Sequence, residues 1–178
     1  MIASFRKHPV GNLLDRLYLL AGYLAAACLV GLLVVIVMQM VARWTDLTFP
    51  GGTQYAGYLM AASTFLAFAY TLNSGGHIRV ELLLQALGKS KFLVELWCLL
   101  VGTAASSYLA WYAVKLVYWS RKLHDLSQGL DATPLWYVQI PVAAGAIILA
   151  VCFADNLVTV IFTRRDNINQ SAEAGLTE

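Results

Sequence analysis

Thr71-Leu72-Asn73-Ser74-Gly75-Gly76-His77-Ile78-Arg79-Val80-Glu81-Leu82-Leu83-Leu84-Gln85-Ala86-Leu87 ends one long apolar run and opens a helix of another kind. Two glycines break the run. After them His77, Glu81 and Gln85 recur at every fourth position, while Val80, Leu83, Leu84 and Leu87 follow i, i+3, i+4, i+7 spacing. A helix over about 78–87 therefore has one wet and one greasy side. Placed directly after a membrane span, it is predicted to lie along the bilayer surface rather than to cross it. From periodicity alone it is an interfacial connector.

The composition around this segment belongs to a membrane. The chain of 178 residues is 60% hydrophobic and 12% charged, against about 25% charged in ordinary globular chains. A net charge of +2 with scattered basic residues excludes a nucleic-acid surface. Cys28, Cys98 and Cys152 each sit in a different apolar run, without the clustering that a disulfide framework or a zinc site needs. They read as inert packing residues.

Four spans are predicted, at about 17–42, 54–73, 93–115 and 135–162, in an all-α fold forming a single membrane domain over 1–178. Leu17 to Ala42 is charge-free for 26 residues, where a span needs about 20. A cleaved signal would have a shorter apolar core, so this reads as a retained span. Leu96 to Val114 is charge-free for 19 residues, with Glu95 and Lys115 positioned to snorkel at its two ends. About Leu116 to Ala132 reads as a polar loop. Pro134 suits a helix opening, and Pro141 predicts a kink because it cannot donate to the Tyr137 carbonyl. Residues 167–178 read as a loose polar tail.

Four spans put both termini on one side. With that side cytoplasmic, Arg6, Lys7, Arg16, Arg79, Lys89, Lys91, Arg164 and Arg165 lie inside and Arg43, Lys115, Arg121 and Lys122 outside. Eight against four favours both ends in the cytoplasm of a bacterial inner membrane. Trp97 then anchors the inner interface, and Trp44, Trp111, Trp119 and Trp136 the outer one.

Gly75-Gly76-His77-Ile78-Arg79-Val80, followed by Glu81 and a leucine run, resembles the signature of the DctQ-like small membrane subunit of TRAP (tripartite ATP-independent periplasmic) transporters. The resemblance extends over Ala56-Gly57-Tyr58-Leu59-Met60-Ala61 and Phe65-Leu66-Ala67-Phe68-Ala69-Tyr70-Thr71-Leu72. It returns at Thr133-Pro134-Leu135-Trp136 with Gln139 and Pro141. It departs at Thr53 and Gln54, where the family often carries acids before the second span. The resemblance implies a scaffold for a large elevator-type DctM-like subunit, which carries the substrate and sodium sites. It also implies a DctP-like periplasmic binding protein and sodium-coupled import of an organic acid. On that reading Gly76, His77, Ile78, Arg79, Val80 and Glu81 meet the partner or lipid. The small subunit itself holds no cofactor and no metal, and a structural phospholipid is its one candidate companion.

The residues offer little chemistry of their own. Ser63, Thr64, Thr103, Ser106 and Ser107 are the polar side chains of the span interiors, and such hydroxyls usually bond within their own helix. Gln39 and Gln139 fall at similar depth, so that they, with Ser63 and Ser106, are candidates for polar contacts between helices. Gly102/Ser106, Gly57/Ala61 and Ala27/Gly31 are small-xxx-small pairs that permit close packing. Asp155 reads as a cap or local ion pair near the inner interface. His8, His77 and His124 lie outside the predicted hydrocarbon, so no facing pair can hold a haem. No nucleophile elbow or zinc-helix motif occurs. Two rival classes remain at this stage: a membrane anchor of a redox complex, recognisable by bound haem or quinone, and an independent small four-span transporter.

Overall fold

The computed structural model describes residues 9–45, 47, 50–73, 91–128 and 132–163. They form four helices: α1 Pro9–Trp44, α2 Gly52–Asn73, α3 Lys91–Leu123 and α4 Leu135–Thr163. The segment 78–87, predicted to be an interfacial helix, and the tail 167–178 lie outside the described residues. Among the described residues three helices are long and apolar enough to cross a membrane, within Leu13–Trp44, Leu96–Leu123 and Leu135–Ile161. The second predicted span corresponds to α2, which carries no charge but many hydroxyls. Its 22 residues include Thr53, Gln54, Tyr55, Tyr58, Ser63, Thr64, Tyr70, Thr71 and Asn73.

One boundary differs from the sequence reading. The third helix does not stop near Lys115 but runs on to Leu123, so the connection to α4 begins at His124. Two features carry it on. Leu116, Val117, Tyr118 and Trp119 continue the apolar character, and Arg121 and Lys122 in the last turn suit the negative end of the helix dipole. Lys115 is therefore an interior residue of α3. Helix α4 runs as a single helix through Pro141.

The helices pack as a row in the spatial order α1, α2, α4, α3, with α1 and α3 at the two edges. Small side chains set the spacing. Ala21 and Ala25 of α1, Ala62 and Ala69 of α2, and Ala143 and Ala146 of α4 are buried. In lipid there is little hydrophobic force between helices, so close van der Waals approach of small residues does the holding. Backbone meets backbone at Gly145, where an added Cβ would lie 2.6 Å from the carbonyl carbon and oxygen of Phe65.

Side-chain pairs fix the relative heights across the row. Gly22 faces Tyr70, and Gly31 faces Leu59, between α1 and α2. Gly145 meets Phe65, and the Cys152 thiol donates to the Ala69 carbonyl at 3.6 Å, between α2 and α4. Gly102 faces Phe153, and the Arg121 guanidinium lies 5.5 Å from the Trp136 ring centre, between α4 and α3. Followed across the row, Tyr112 of α3 stands level with about Cys28–Leu29 of α1, the middle of the charge-free run. Below, "upper" means the end where α1 finishes and α4 begins.

Candidate docking surfaces

The signature residues Gly76, His77, Ile78, Arg79, Val80 and Glu81 lie outside the described residues. What the structure builds is an upper cap, a lower core and two lateral faces.

The cap starts where α3 ends. His124 takes a left-handed conformation (φ 54°), and the Asp125 N–H donates to the Ser120 carbonyl at 3.0 Å. This is the helix-ending geometry that glycine usually provides. The chain then doubles back. Leu126 and Pro134 form an antiparallel bridge, Ser127 N–H donates to the Thr133 carbonyl at 2.8 Å, and Leu135 N–H donates to the Asp125 carbonyl at 3.0 Å. Two tyrosines three residues apart on α2 fasten the loop. The Tyr58 and Ser127 hydroxyls are 2.6 Å apart, and those of Tyr55 and Thr133 are 3.1 Å apart. Buried Ser127 is thus satisfied, and the loop is held to α2 rather than free. On the same end Arg121 sits over Trp136, and the Lys122 ammonium lies 5.0 Å from the Trp119 ring centre.

The lower core joins α1, α2 and α4 through Tyr18, Ala69, Leu72 and Cys152, with Leu14, Ile148, Leu149 and Phe153 packed around them. Asn156 is buried there, and its Nδ2 donates to the Cys152 carbonyl at 2.8 Å. The Tyr18 hydroxyl is enclosed beside the Cys152 thiol. Cys28, Cys98 and Cys152 are free thiols. Thr159 on the next turn donates to the Asp155 carbonyl at 2.9 Å.

The serines named as candidates for contacts between helices turn inward on their own. Ser63 donates to the Met60 carbonyl at 3.0 Å and Ser106 to the Thr103 carbonyl at 3.2 Å. Gln39 is half-buried on α1. The Gln139 Oε1 is buried with no partner among the described residues, so it accepts nothing from Gln39. Of the small-residue pairs, Gly102 meets the Phe153 ring and Gly31 meets Leu59, but Gly57 has nothing within 4 Å of its would-be Cβ. Gly145 makes the closer contact, within a small run (Ala143, Ala144, Gly145, Ala146) that could have announced it.

The two edge helices expose different chemistry. The outer face of α1 is aliphatic over its middle turns, with Leu29, Val30, Leu33, Val34 and Val37 exposed. The outer face of α3 carries Tyr108 (65% exposed), Trp111 (71%), Tyr112 and, one turn higher, exposed Lys115. The Tyr108 and Tyr112 rings are 4.5 Å apart, and the Lys115 ammonium lies 5.7 Å from the Tyr112 ring centre. Positions 108, 111, 112, 115 and 119 share one side of a helix. Trp44 and Trp97 are exposed as well, and Trp136 is half-buried beneath Arg121.

Among the described residues no group of three or more His, Cys, Asp or Glu side chains could hold a metal ion. A family model described as "Tripartite ATP-independent periplasmic transporters, DctQ component" matches residues 32–163. No curated protein and no solved structure matches the chain.

Proposed function

We propose a bracing role from one premise: the chain belongs to the DctQ family, a component of the tripartite ATP-independent periplasmic transporters. It is a small transporter subunit embedded in a membrane, not an enzyme. In the proposed reading it scaffolds a large DctM-like elevator subunit and helps seat a DctP-like periplasmic binding protein. The complex imports an organic acid, a carboxylate, with sodium. Substrate and sodium are held by the large subunit, and a structural phospholipid beside direct apolar packing helps hold the two membrane subunits together.

The observation that carries this reading is the family match over 32–163, which spans α2, α3, α4 and the last third of α1. The span interiors supply support from chemistry. Moving a carboxylate across about 30 Å of hydrocarbon calls for helix ends or bound sodium converging at depth, whereas Ser63, Thr64, Thr103 and Ser106 each bond back to their own helix. Helix α2 acts as the fourth span in this reading. Its 22 residues reach about 33 Å at 1.5 Å per residue, enough to cross about 30 Å of hydrocarbon. Both termini face the cytoplasm of the inner membrane, and the 124–134 cap faces the periplasm.

The signature segment supplies the second grip on the partner. The Arg79 guanidinium forks onto a carboxylate, a carbonyl or a lipid phosphate, which a lysine replaces poorly. Co-purification in mild detergent tests the scaffold reading. The chain, co-expressed with the multi-span subunit of its own system, is expected to bring that subunit down, and Arg79→Lys to lower the yield. Purification of the chain alone, under conditions where both proteins are present in the membrane, overturns it.

A further inference from the structure

We infer that the outer face of α3 built from Tyr108, Trp111, Tyr112 and Lys115 is covered, in the working complex, by a transmembrane helix of the large subunit, which offers Lys115 a carboxylate or backbone carbonyl at mid-membrane depth. The inference rests on the scaffold reading and adds to it which edge of the row is the protein seam.

Depth is the first step. The register across the row places Tyr112 level with about Cys28–Leu29 and Lys115 level with about Gly31. Those α1 residues lie near the centre of the charge-free stretch Leu17–Ala42, whose exposed aliphatic side chains run up to Val41. An α1 so apolar needs hydrocarbon around about 20 of those residues, centred near Leu29. The same slab therefore surrounds α3 well above Lys115, toward Arg121 and Lys122. The aromatic–cationic patch is inside the membrane, not at its rim.

The chemistry of that depth is the second step. Lipid tails offer no acceptor for a phenol, an indole N–H or an ammonium, and charged side chains within spans almost always face protein or water rather than tails. Lys115 also does not snorkel away from the patch. Its ammonium leans over the Tyr112 ring, which puts three donor-bearing side chains and one cation side by side on an exposed surface. A surface rich in donors and positive charge is complementary to a helix carrying an acceptor. The opposite edge serves as the internal contrast. At the same height α1 shows Leu29, Val30 and Leu33, which tails solvate without cost.

The test uses the full chain co-expressed with the large subunit in native membranes. A benzophenone amino acid replaces Tyr112 in one variant and Leu29, at matched depth on α1, in another. Irradiation is expected to give an adduct with the large subunit from position 112 and none from position 29. Protein adducts from position 29 alone, a dimer of this chain from position 112, or lipid adducts only from both would each overturn the inference. Lys115→Met and Lys115→Arg add a second readout. Met removes the charge at similar volume and is expected to reduce co-purified large subunit at least tenfold, while Arg keeps most of it. Equal recovery with Met refutes the proposed pairing. Wild-type co-purification with cross-links only from α1 would sink this inference and leave the scaffold reading intact. Loss of wild-type co-purification would sink both.

Discussion

A methyl group added at Gly145 would press on the Phe65 carbonyl at 2.6 Å, and backbone cannot swing aside as a side chain can. Alanine normally favours a helix over glycine by about 0.5–1 kcal/mol. At Gly145 that gain is outweighed by prying α2 from α4, so Gly145→Ala is expected to lower the thermal midpoint in detergent. Gly57→Ala meets nothing within 4 Å and is expected to hold or raise it. The reverse order of the two midpoints would show that α2 and α4 do not cross at Gly145. Glycine is also favoured at His124, whose φ of 54° costs a side chain about 1 kcal/mol. His124→Gly is thus expected to stabilise the cap, measured as slower proteolysis within 124–134. Tyr58→Phe removes the 2.6 Å hydroxyl contact to Ser127, a loss of about 1 kcal/mol. Faster cleavage of the same loop is the expected result, and unchanged cleavage would mean the tyrosine does not fasten it.

At the scale of elements, the apolar runs spoke plainly because a charge-free stretch of membrane length has few other uses. Helices α1, α3 and α4 were legible in that way. Helix α2 was read in the same way, from the charge-free run Leu47–Gly76, although hydroxyls and tyrosines are scattered along it. The end of α3 was misplaced because Lys115 looked like a terminus. In sequence a single lysine after 19 uncharged residues resembles a boundary, yet the helix continues past it to Leu123. The ties of Tyr55 and Tyr58 to the cap were illegible for another reason. Their partners are 78 and 69 residues away, and nothing local marks such pairs. The amphipathic segment 78–87 carries its own prediction. Leu83→Glu puts a charge on the greasy side and is expected to reduce membrane or partner association, while Gln85→Glu on the wet side is tolerated. Equal loss in both, scored by the amount of complex recovered, would contradict the proposed orientation.

For the molecule as a whole, the row of helices leaves two long edges instead of a closed bundle. Edge α1 is aliphatic and edge α3 is aromatic and cationic, so the two are suited to different neighbours. A row that is broad, closely packed through small residues and fastened at the cap is stiff in its own plane. Stiffness is what a partner that moves through the membrane requires of its support. In the proposed orientation, reporter fusions at the C-terminus and near Lys89 read cytoplasmic and one near Arg121 reads periplasmic. A periplasmic reading at Lys89 would reverse the assignment of every surface. The central claim is that this subunit is required for transport while forming no part of the substrate path. Sodium-driven uptake in liposomes tests it most directly, with the transported acid identified first from the binding protein. This chain alone is expected to give no uptake, the large subunit with binding protein little, and all three together sodium-dependent uptake. Full uptake without this chain, or uptake by this chain alone, would contradict the account.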